Sequence, residues 1–310
     1  MAAPHHLKIT RVILHADGHV IAGAKTGAVE QLTQAVRRGI ELRKGLHLPG
    51  RADNHSWLVG GCGQVRTWEH DGDGSRSYVV QMDPKAIKNR FRLLLEFSDE
   101  ALPLDTLCYL LCQLAGYEID IAAEQAKIDS LAETMAPTFA GVMSSLFGPS
   151  GHVRGDTATY YDIDNSLLSR VLARGVGLPI TMSVLAMECG KRVRVPIVGV
   201  GLPGHFIVRD GKDSSAYADP FYGGTLLDRQ GVQQLFVQLS GGNVAWSDAF
   251  LRAVNKRDIL LRILNNLKLA SSRSPVGRPL HATVLELMSW FPSGAPFDPR
   301  DAQRVMSPYN

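Results

Sequence analysis

One segment constrains the fold more than any other: residues 179–191 form a predicted helix with apolar side chains on most of its faces. A helix that is apolar nearly all round has to be buried. It starts at Pro179, which suits the first helical turn, and it ends in the cationic run Lys191-Arg192-Val193-Arg194, which suits a solvated C-terminus. The segments that follow read as short strands joined by turns. A buried helix followed by antiparallel strands predicts an α+β fold, with the helix packed on a small sheet. The predicted strands are residues 196–200, 206–209 and 216–218.

Helical patterns flank this core on both sides. Asp83 is a plausible N-cap before Pro84, and amphipathic helices are predicted after it. A short helix is also predicted at 165–174, and two helices follow the strands. Residues 1–82 mix extended and helical signals. The amphipathic helices are expected at residues 86–96, 103–116, 121–135, 230–239 and 256–271. In the N-terminal segment, strands are expected within residues 9–21, 57–68 and 77–82, and a helix at 27–44. We expect a mixed α/β N-terminal extension (1–82), a helical subdomain (83–150), the core (151–275) and a C-terminal tail (276–310).

Composition excludes several classes of function. The chain has 310 residues, of which 45% are hydrophobic and 20% charged, with a net charge of +3, as in ordinary globular proteins. Its basic runs are too short for a nucleic-acid footprint, and its apolar runs fall short of the ~20 residues that a membrane span needs. Four cysteines do not make a disulfide framework, and Cys108 and Cys112 read as small core residues. We expect a cytoplasmic protein without a secretory signal, a metal or a cofactor.

His205 and Asp219 are the residues most suited to chemistry. They lie in two predicted strands joined by a polar turn. A hairpin folded symmetrically about Lys212 places them directly opposite each other, with Cβ atoms about 4.5–5.5 Å apart. A carboxylate beside an imidazole is the second half of a nucleophile–His–Asp arrangement. Two structural interpretations stay open: His205 could simply join two strands, and Asp219, which precedes Pro220, could be a turn-forming aspartate.

Several motifs around this pair resemble a known family. They are Tyr160-Tyr161-Asp162-Ile163-Asp164-Asn165-Ser166, Arg174-Gly175-Val176-Gly177-Leu178-Pro179-Ile180-Thr181, Pro203-Gly204-His205-Phe206 and Asp219-Pro220-Phe221-Tyr222-Gly223-Gly224. Together they resemble the SirB1 family, a branch of the transglutaminase-like superfamily that also occurs in an F-box protein. Residues 258–268 resemble that family's C-terminal helix. The resemblance covers roughly two thirds of the chain and leaves out the first eighty residues.

The resemblance implies a papain-like core, in which a nucleophilic Cys begins the buried helix and His and Asp lie on adjacent strands. His205 and Asp219 match the last two positions, but Pro179 occupies the place of the Cys. Cys189 lies ~15 Å further along the helix and on another face, so it cannot substitute. Ser183 shares the face but lies ~6 Å deeper, where a buried hydroxyl commonly bonds a backbone carbonyl. Cys62, in a glycine-rich segment outside the resemblance, is the other possible substitute.

The start of the central helix could provide a second part of a site. Free N–H groups and the positive end of the helix dipole can bind an anion or an oxyanion. Pro179 lacks an N–H, so Ile180 and Thr181 would provide the donors. Asn165 and Asp162 are expected to be structural caps, with a role in lining a pocket as the alternative. We assign Ile180, Thr181, Ser183, Asn165 and Tyr222 as oxyanion or substrate-binding residues.

Two functions from different classes fit these residues. One is an enzyme for a small-molecule or peptide substrate, in which Asp219 orients His205 as a general acid or base. Without a thiol, the suitable reactions are dehydration, addition, cyclisation or hydrolysis of an acyl group by water. The other is a catalytically inactive binding or adaptor module for a protein or peptide partner. Burial of His205 under large apolar side chains would favour the module, and an open pocket would favour chemistry.

Overall fold

The computed structural model describes the backbone of strands at residues 58–59, 63–70 and 76–82, and the chain at residues 83–273 and 277–291. The chain divides into two compact units, Met1–Ile87 and Lys88–Asn310. In the first unit, β1 (Leu58–Val59), β2 (Gly63–His70) and β3 (Arg76–Met82) form an antiparallel sheet in that order. These strands lie where extended segments are predicted after residue 56. The segments predicted at 9–21 and 27–44 lie outside the described residues.

Among the residues that the structure describes, four α-helices precede the core. Helix α1 (Pro84–Leu94) begins as predicted, with the Asp83 carboxylate accepting the Lys85 N–H at 3.2 Å. Helices α2 (Leu104–Leu114) and α3 (Ile121–Glu133) also lie where they are predicted. Helix α4 (Phe139–Phe147) was not predicted as a separate helix. It begins there because the Thr138 hydroxyl accepts the Gly141 N–H at 3.0 Å, as an N-cap does.

Helix α2 is a core helix rather than an amphipathic surface helix. Every residue from Leu104 to Cys112 is buried, including Asp105. The carboxylate of Asp105 accepts the Thr106 N–H at 2.6 Å and lies 3.7 Å from a guanidinium nitrogen of Arg192. Arg192 also pairs with Glu188 at 3.1 Å. These ion pairs compensate for burying the charges and join α2 to the end of the central helix.

The central helix, α6 (Pro179–Arg192), follows α5 (Leu168–Arg174) and is buried along nearly its whole length. It packs on two strands of an antiparallel sheet, so the fold is α+β. The approach is close, because a Cβ added to Gly190 would lie 2.7 Å from Cδ1 of Ile197. A two-residue parallel pair joins β4 (Arg154–Gly155) to β5 (Val176–Gly177). The sheet contains, in order, β6 (Ile197–Leu202), β7 (His205–Asp210), β8 (Tyr217–Asp219) and β9 (Thr225–Leu227).

The hairpin that carries His205 and Asp219 has a register two residues away from the predicted one. The prediction centred the loop on Lys212, whereas the strand pairing centres it on Asp213. His205 and Asp219 are therefore diagonal neighbours and not directly opposed. Because side chains alternate between faces, a shift of two keeps both residues on the same face, and diagonal pairs remain within reach of long side chains. The pairs that set the register are Val208 with Ala218 and Arg209 with Tyr217.

Local hydrogen bonds of two aspartates explain this loop. The Asp213 carboxylate accepts the Ser215 N–H at 2.9 Å and the Ser215 hydroxyl at 2.6 Å. The Asp210 carboxylate accepts the Lys212 N–H at 2.8 Å. Such turns lengthen the loop on the side of Ser215, and a symmetric folding of the sequence does not include them.

In the described part of the second unit, three more α-helices follow the sheet: α7 (Arg229–Ser240), α8 (Lys256–Ser272) and α9 (Arg278–Met288). The first two lie where helices are predicted. Helix α9 falls in the segment that was expected to be a tail, and it packs on α8. Its buried residues Leu280, Val284 and Leu287 follow the spacing of an amphipathic helix. Among the described residues, no helix is long and apolar enough to cross a membrane.

Candidate functional site around His205

A tight turn positions His205 at the start of a strand. Leu202 pairs with His205, so Pro203 and Gly204 are the two central residues of the turn between β6 and β7. Gly204 has a φ of +73°, a conformation that suits glycine at the second central position of a type II turn. The sequence Pro-Gly therefore places the imidazole at the first position of β7, at the edge of the core.

Asp219 uses its two carboxylate oxygens for two different purposes. Its Oδ2 lies 2.7 Å from Nε2 of His205. Its Oδ1 accepts the backbone N–H groups of Phe221 at 3.0 Å and Tyr222 at 3.3 Å. The side chain is 1% exposed. Both interpretations of this residue from the sequence therefore hold together: Asp219 pairs with the imidazole and also forms the turn.

The contact with Asp219 determines which imidazole nitrogen is available. A carboxylate only accepts hydrogen bonds when it is ionised, so the proton of the neutral ring lies on Nε2. Nδ1 is then a lone-pair acceptor, and none of the residues that the structure describes hydrogen-bonds to it. A ring held in this tautomer can accept a proton at Nδ1, while the carboxylate stabilises the resulting cation.

His205 lines a cavity of about 300 Å³, although only 7% of the residue is exposed. This volume is at the lower end of the range for small-molecule sites. Two aromatic rings flank the imidazole on the strand side: Phe221 lies edge-on, with centroids 6.1 Å apart, and the Tyr222 centroid lies 5.8 Å away. Tyr222 is itself 40% exposed. The imidazole is therefore packed but opens onto a space that could hold a ligand.

The cavity has walls from four parts of the second unit. One wall is the turn with His205, and another is the beginning of the central helix, Leu178 to Ile180. A third is the segment that runs from Tyr160 to the end of the 3-10 helix Ile163–Ser166, and the fourth comes from α8 and α9. Residues 262, 265, 266 and 269 of α8 are spaced three or four apart, so they form one stripe that faces this space.

The place expected for a nucleophile is occupied by Pro179, at the first position of the central helix. Pro179 and Ile180 line the cavity. The Ser183 hydroxyl donates to the Pro179 carbonyl at 2.8 Å and is fully buried, and Ser183 is not part of the described lining. Thr181 is also buried and outside that lining, and its hydroxyl has no hydrogen-bond partner in the described structure. Of the residues assigned to an oxyanion site at this helix, Ile180 is the one that lines the cavity.

Asn165 lies behind the cavity wall and stabilises the preceding loop. Its amide donates to the Asp156 carboxylate at 3.0 Å and to the Thr159 carbonyl at 2.8 Å. Asp162 caps the 3-10 helix by accepting the Asp164 N–H at 3.0 Å, and its carboxylate also lines the cavity. Asn165 is fully buried, so its contacts determine the position of the wall rather than the ligand's immediate surroundings.

The described cysteines are not suited to nucleophilic chemistry. Cys108, Cys112 and Cys189 are all buried. Burial raises the pKa of the Cys108 thiol and raises the pKa of Cys112 and Cys189 to about 12. A thiol of such high pKa carries almost no thiolate at neutral pH. Cys62 lies outside the described residues.

Arg262 is the main residue that the sequence analysis missed. Its guanidinium donates to the carbonyls of Leu202 and His205, both at 3.4 Å, and lies 5.5 Å from the Phe206 ring centroid. Burial lowers its pKa to about 10, with a partial opposing effect of the Asp258 carboxylate, so it stays charged at neutral pH. It begins the cavity-facing stripe of α8. Helical spacing could have grouped it with Asn265 and Leu269, but no sequence pattern places that stripe beside His205.

Within the described residues, no cluster of three or more His, Cys, Asp or Glu side chains could hold a metal ion.

Comparison with known proteins gives a family-model match over the region of the site and several similar proteins. A family model described as the Transglutaminase-like superfamily matches residues 113–265, a segment that includes Pro179, His205, Asp219 and Arg262. A UPF0162 protein of Xylella fastidiosa is 32% identical over 183 residues, which cover 54% of this chain and 65% of that protein. A UPF0162 protein of Pseudomonas aeruginosa is 32% identical over 118 residues, covering 38% of this chain and 42% of that protein.

A eukaryotic protein is also similar. The human F-box only protein 21 is 25% identical over 246 residues, which cover 65% of this chain and 37% of that protein. The chain thus spans less than two thirds of the length of each of these three relatives. No solved structure matches the chain. Each of these matches thus covers part of this chain and part of the relative.

Proposed function

We propose that this chain is a transglutaminase-like enzyme of the SirB1 type that works without a thiol nucleophile. Its substrate is a small molecule or an acyl compound, and its reaction is a dehydration, addition, cyclisation or hydrolysis. The observation that carries the proposal is the arrangement at His205. The ring lines a cavity while Asp219 holds Nε2 at 2.7 Å, which leaves Nδ1 without a described partner.

In this proposal the imidazole transfers a proton at Nδ1. As a base it takes a proton from a substrate carbon or from water, and it becomes a cation that the Asp219 carboxylate stabilises. In a dehydration, the carbon–oxygen bond then breaks and the imidazolium returns the proton to the departing oxygen, giving water. In a hydrolysis, the activated water attacks the acyl carbon and the proton goes to the leaving group. Neither the dehydration nor the hydrolysis needs a reactant other than the substrate and water.

The beginning of the central helix supports the same chemistry. The Met182 N–H already bonds the Leu178 carbonyl at 3.0 Å, and Pro179 has no N–H. Ile180 and Thr181 therefore carry the backbone donors of the first turn that remain for a ligand, and Ile180 lines the cavity. Such donors stabilise negative charge that develops on an oxygen during reaction.

A binding or adaptor module is the second candidate. Its support is the similarity to the human F-box only protein 21, together with two exposed apolar side chains near the site, Tyr222 (40% exposed) and Leu226 (54% exposed). A protein partner could contact these residues at the β8–β9 turn. In that case the His–Asp pair would hold the strands together and would carry out no reaction.

The test compares wild-type protein with His205→Gln and Ser183→Ala. Each full chain is incubated with a metabolite extract, and mass spectrometry follows compounds that lose or gain one water. We expect conversion by the wild type and by Ser183→Ala, and no conversion by a folded His205→Gln. Equal conversion by His205→Gln would contradict the proposal. Loss of conversion in a folded Ser183→Ala would instead identify Ser183 as the nucleophile.

A further inference from the structure

Cationic side chains outnumber carboxylates in the described lining of the cavity. Arg262 and Lys268 line it with positive charge, and His281 lines it as well. Asp162 is the acidic residue of the described lining, and a guanidinium nitrogen of Arg174, which also contacts two other carboxylates, lies 3.2 Å from its Oδ2. The described lining therefore contains two cations, Arg262 and Lys268, and one carboxylate.

The positive groups lie along α8 in a defined order. Arg262 is next to His205, since it donates to the His205 carbonyl. Lys268 lies six residues further on, which corresponds to ~9 Å along the helix axis. The Lys268 ammonium has no ion-pair or hydrogen-bond partner among the described residues. His281 of α9 contacts the backbone of this residue, with its Nδ1 3.1 Å from the Lys268 carbonyl oxygen.

Two residues that line the cavity carry buried polar atoms without hydrogen-bond partners in the described structure. The Ser166 hydroxyl is buried and has no hydrogen bond within the described structure, although Ser166 is 3% exposed and lines the cavity. The Asn265 Oδ1 is also buried and has no hydrogen-bond partner in the described structure, while the amide nitrogen of Asn265 donates to the Leu261 carbonyl at 3.1 Å. A buried polar atom without a partner is costly, so such atoms commonly face a ligand or an ordered water.

Tyr160 and Tyr161 add an aromatic wall. Their rings pack edge to face with centroids 5.4 Å apart, and the Arg273 guanidinium carbon lies 3.8 Å from the Tyr161 ring centroid. The combination is a small space with an aromatic wall, two unpaired hydrogen-bonding atoms in its lining residues and a cation, Lys268, ~9 Å along α8 from the residue beside His205.

From this arrangement we infer that the cavity binds a small organic anion, a carboxylate or a phosphate ester, with its anionic group beside Lys268 and its reacting part beside His205. The inference rests on the proposed function only for the reacting end; the anion site stands on Lys268, Ser166 and the aromatic wall. The Ser166 hydroxyl donates to the ligand, and Asn265 Oδ1 accepts from a hydroxyl or amide group of it.

Direct binding tests this inference without any substrate. The full chain is titrated with benzoate, phenyl phosphate and the neutral benzamide in low-salt buffer, and binding is measured by calorimetry. We expect one of the two anions to bind and benzamide to bind at least about tenfold more weakly, because charge-assisted hydrogen bonds are the stronger ones. Preference for benzoate or for phenyl phosphate identifies the anion as a carboxylate or a phosphate.

Variants locate the site. Lys268→Gln should weaken anion binding about tenfold, and Lys268→Arg should restore most of it. Lys212→Gln, in the exposed hairpin loop, is the matched control and should bind as the wild type does. Equal binding of benzamide and the anions, or full anion binding by Lys268→Gln, would overturn the inference.

The His205→Gln variant separates the two proposals. We expect it to bind the preferred anion within about threefold of the wild type, because Lys268 and Ser166 are unchanged. Anion binding together with undiminished conversion by His205→Gln would refute the proposed function and leave the anion site intact. Conversion by the wild type without anion binding would refute the anion site and leave the proposed function intact.

Discussion

The Arg262 guanidinium occupies the space that a side chain on Gly201 would need: a Cβ added to Gly201 would lie 2.6 Å from Nη2 and 2.7 Å from Cζ. Because Gly201 has no side chain, the Arg262 guanidinium of α8 can contact the turn that carries His205. On β8, Asp219 holds the imidazole of His205 by its contact with Nε2. The position of His205 thus depends on a glycine, a buried cation and a carboxylate from three separate elements.

Gly201→Ala should displace Arg262 and destabilise the protein. The new methyl group meets a buried guanidinium rather than the flexible end of a surface chain, and overpacking of this kind costs about 1–3 kcal/mol. Urea denaturation measures the free energy of unfolding. Gly231→Ala, in helix α7, is the control and should not destabilise the protein, because alanine favours a helix more than glycine and the nearest atom, 3.2 Å away, is at the end of the Leu227 side chain. Equal stability of Gly201→Ala and the wild type would show that Arg262 can move without cost.

Asp219→Asn should separate the two roles of this residue. An amide oxygen can still accept the Phe221 N–H, so the turn is expected to form, but the negative charge that stabilises an imidazolium is lost. We expect conversion to fall by roughly 100-fold or more while the melting temperature changes little. Asp219→Ala removes both roles and should also lower the melting temperature. A fully active Asp219→Asn would exclude a charge-stabilised imidazolium.

Asp156→Asn should weaken the loop that forms the aromatic wall of the cavity. Asp156 accepts four hydrogen bonds, from Ala158, from Asn165 and twice from Thr159. Burial alone would raise its pKa, but the hydrogen bonds from Thr159 and Asn165 outweigh it and lower the pKa below its usual value of 3.8. At neutral pH the substitution should cost about 1–3 kcal/mol of the free energy of unfolding.

The pH dependence of that cost has a definite sign. A carboxyl whose folded pKa is lowered contributes its stability above the unfolded pKa and loses it as the pH falls through the folded pKa. The difference between wild type and Asp156→Asn should therefore be constant near neutrality and shrink below about pH 3.8. Asp248→Asn, which removes an exposed ion pair with Arg229, should show a much smaller difference throughout. A difference that grew on acidification would contradict the assignment.

Thiol reagents should leave the proposed reaction intact. Cys108, Cys112 and Cys189 are buried, and burial raises the pKa of each thiol. Iodoacetamide at neutral pH should label none of the three in the folded protein and all of them in urea, as read by mass spectrometry of peptides. Conversion of substrate should survive the native treatment. Inactivation together with labelling at Cys62 would restore that cysteine as a candidate nucleophile.

The sequence predicts the α+β fold class and the turn before His205 because these depend on local patterns. Apolar side chains on most faces of residues 179–191 require burial, and Pro203-Gly204 defines a turn. The start of α4 depends on one hydroxyl, that of Thr138, and periodicity does not detect such a cap. Helix α9 lies in a Pro-rich segment, where the stripe of Leu280, Val284 and Leu287 was overlooked.

The cavity could not be predicted from the sequence in the same way. Arg262 reaches the carbonyl of His205 across a separation of 57 residues, and it can do so because Gly201 lacks a side chain. The hairpin register also escaped prediction, because the carboxylates of Asp210 and Asp213 compete with symmetric strand pairing. In both cases the deciding interaction joins a side chain to a backbone group, and hydrophobic patterns carry no information about it.

The double use of Asp219 bears on how related sequences should be interpreted. A descendant that lost its chemistry would still need an acceptor at this position to hold the amides of Phe221 and Tyr222. Retention of the aspartate therefore does not separate an enzyme from an inactive homologue. The His205 ring hydrogen-bonds no backbone group among the described residues, so its replacement is the more informative event. A survey of relatives for activity should sort them first by the residue at position 205 and should not count a retained aspartate at position 219 as evidence of activity.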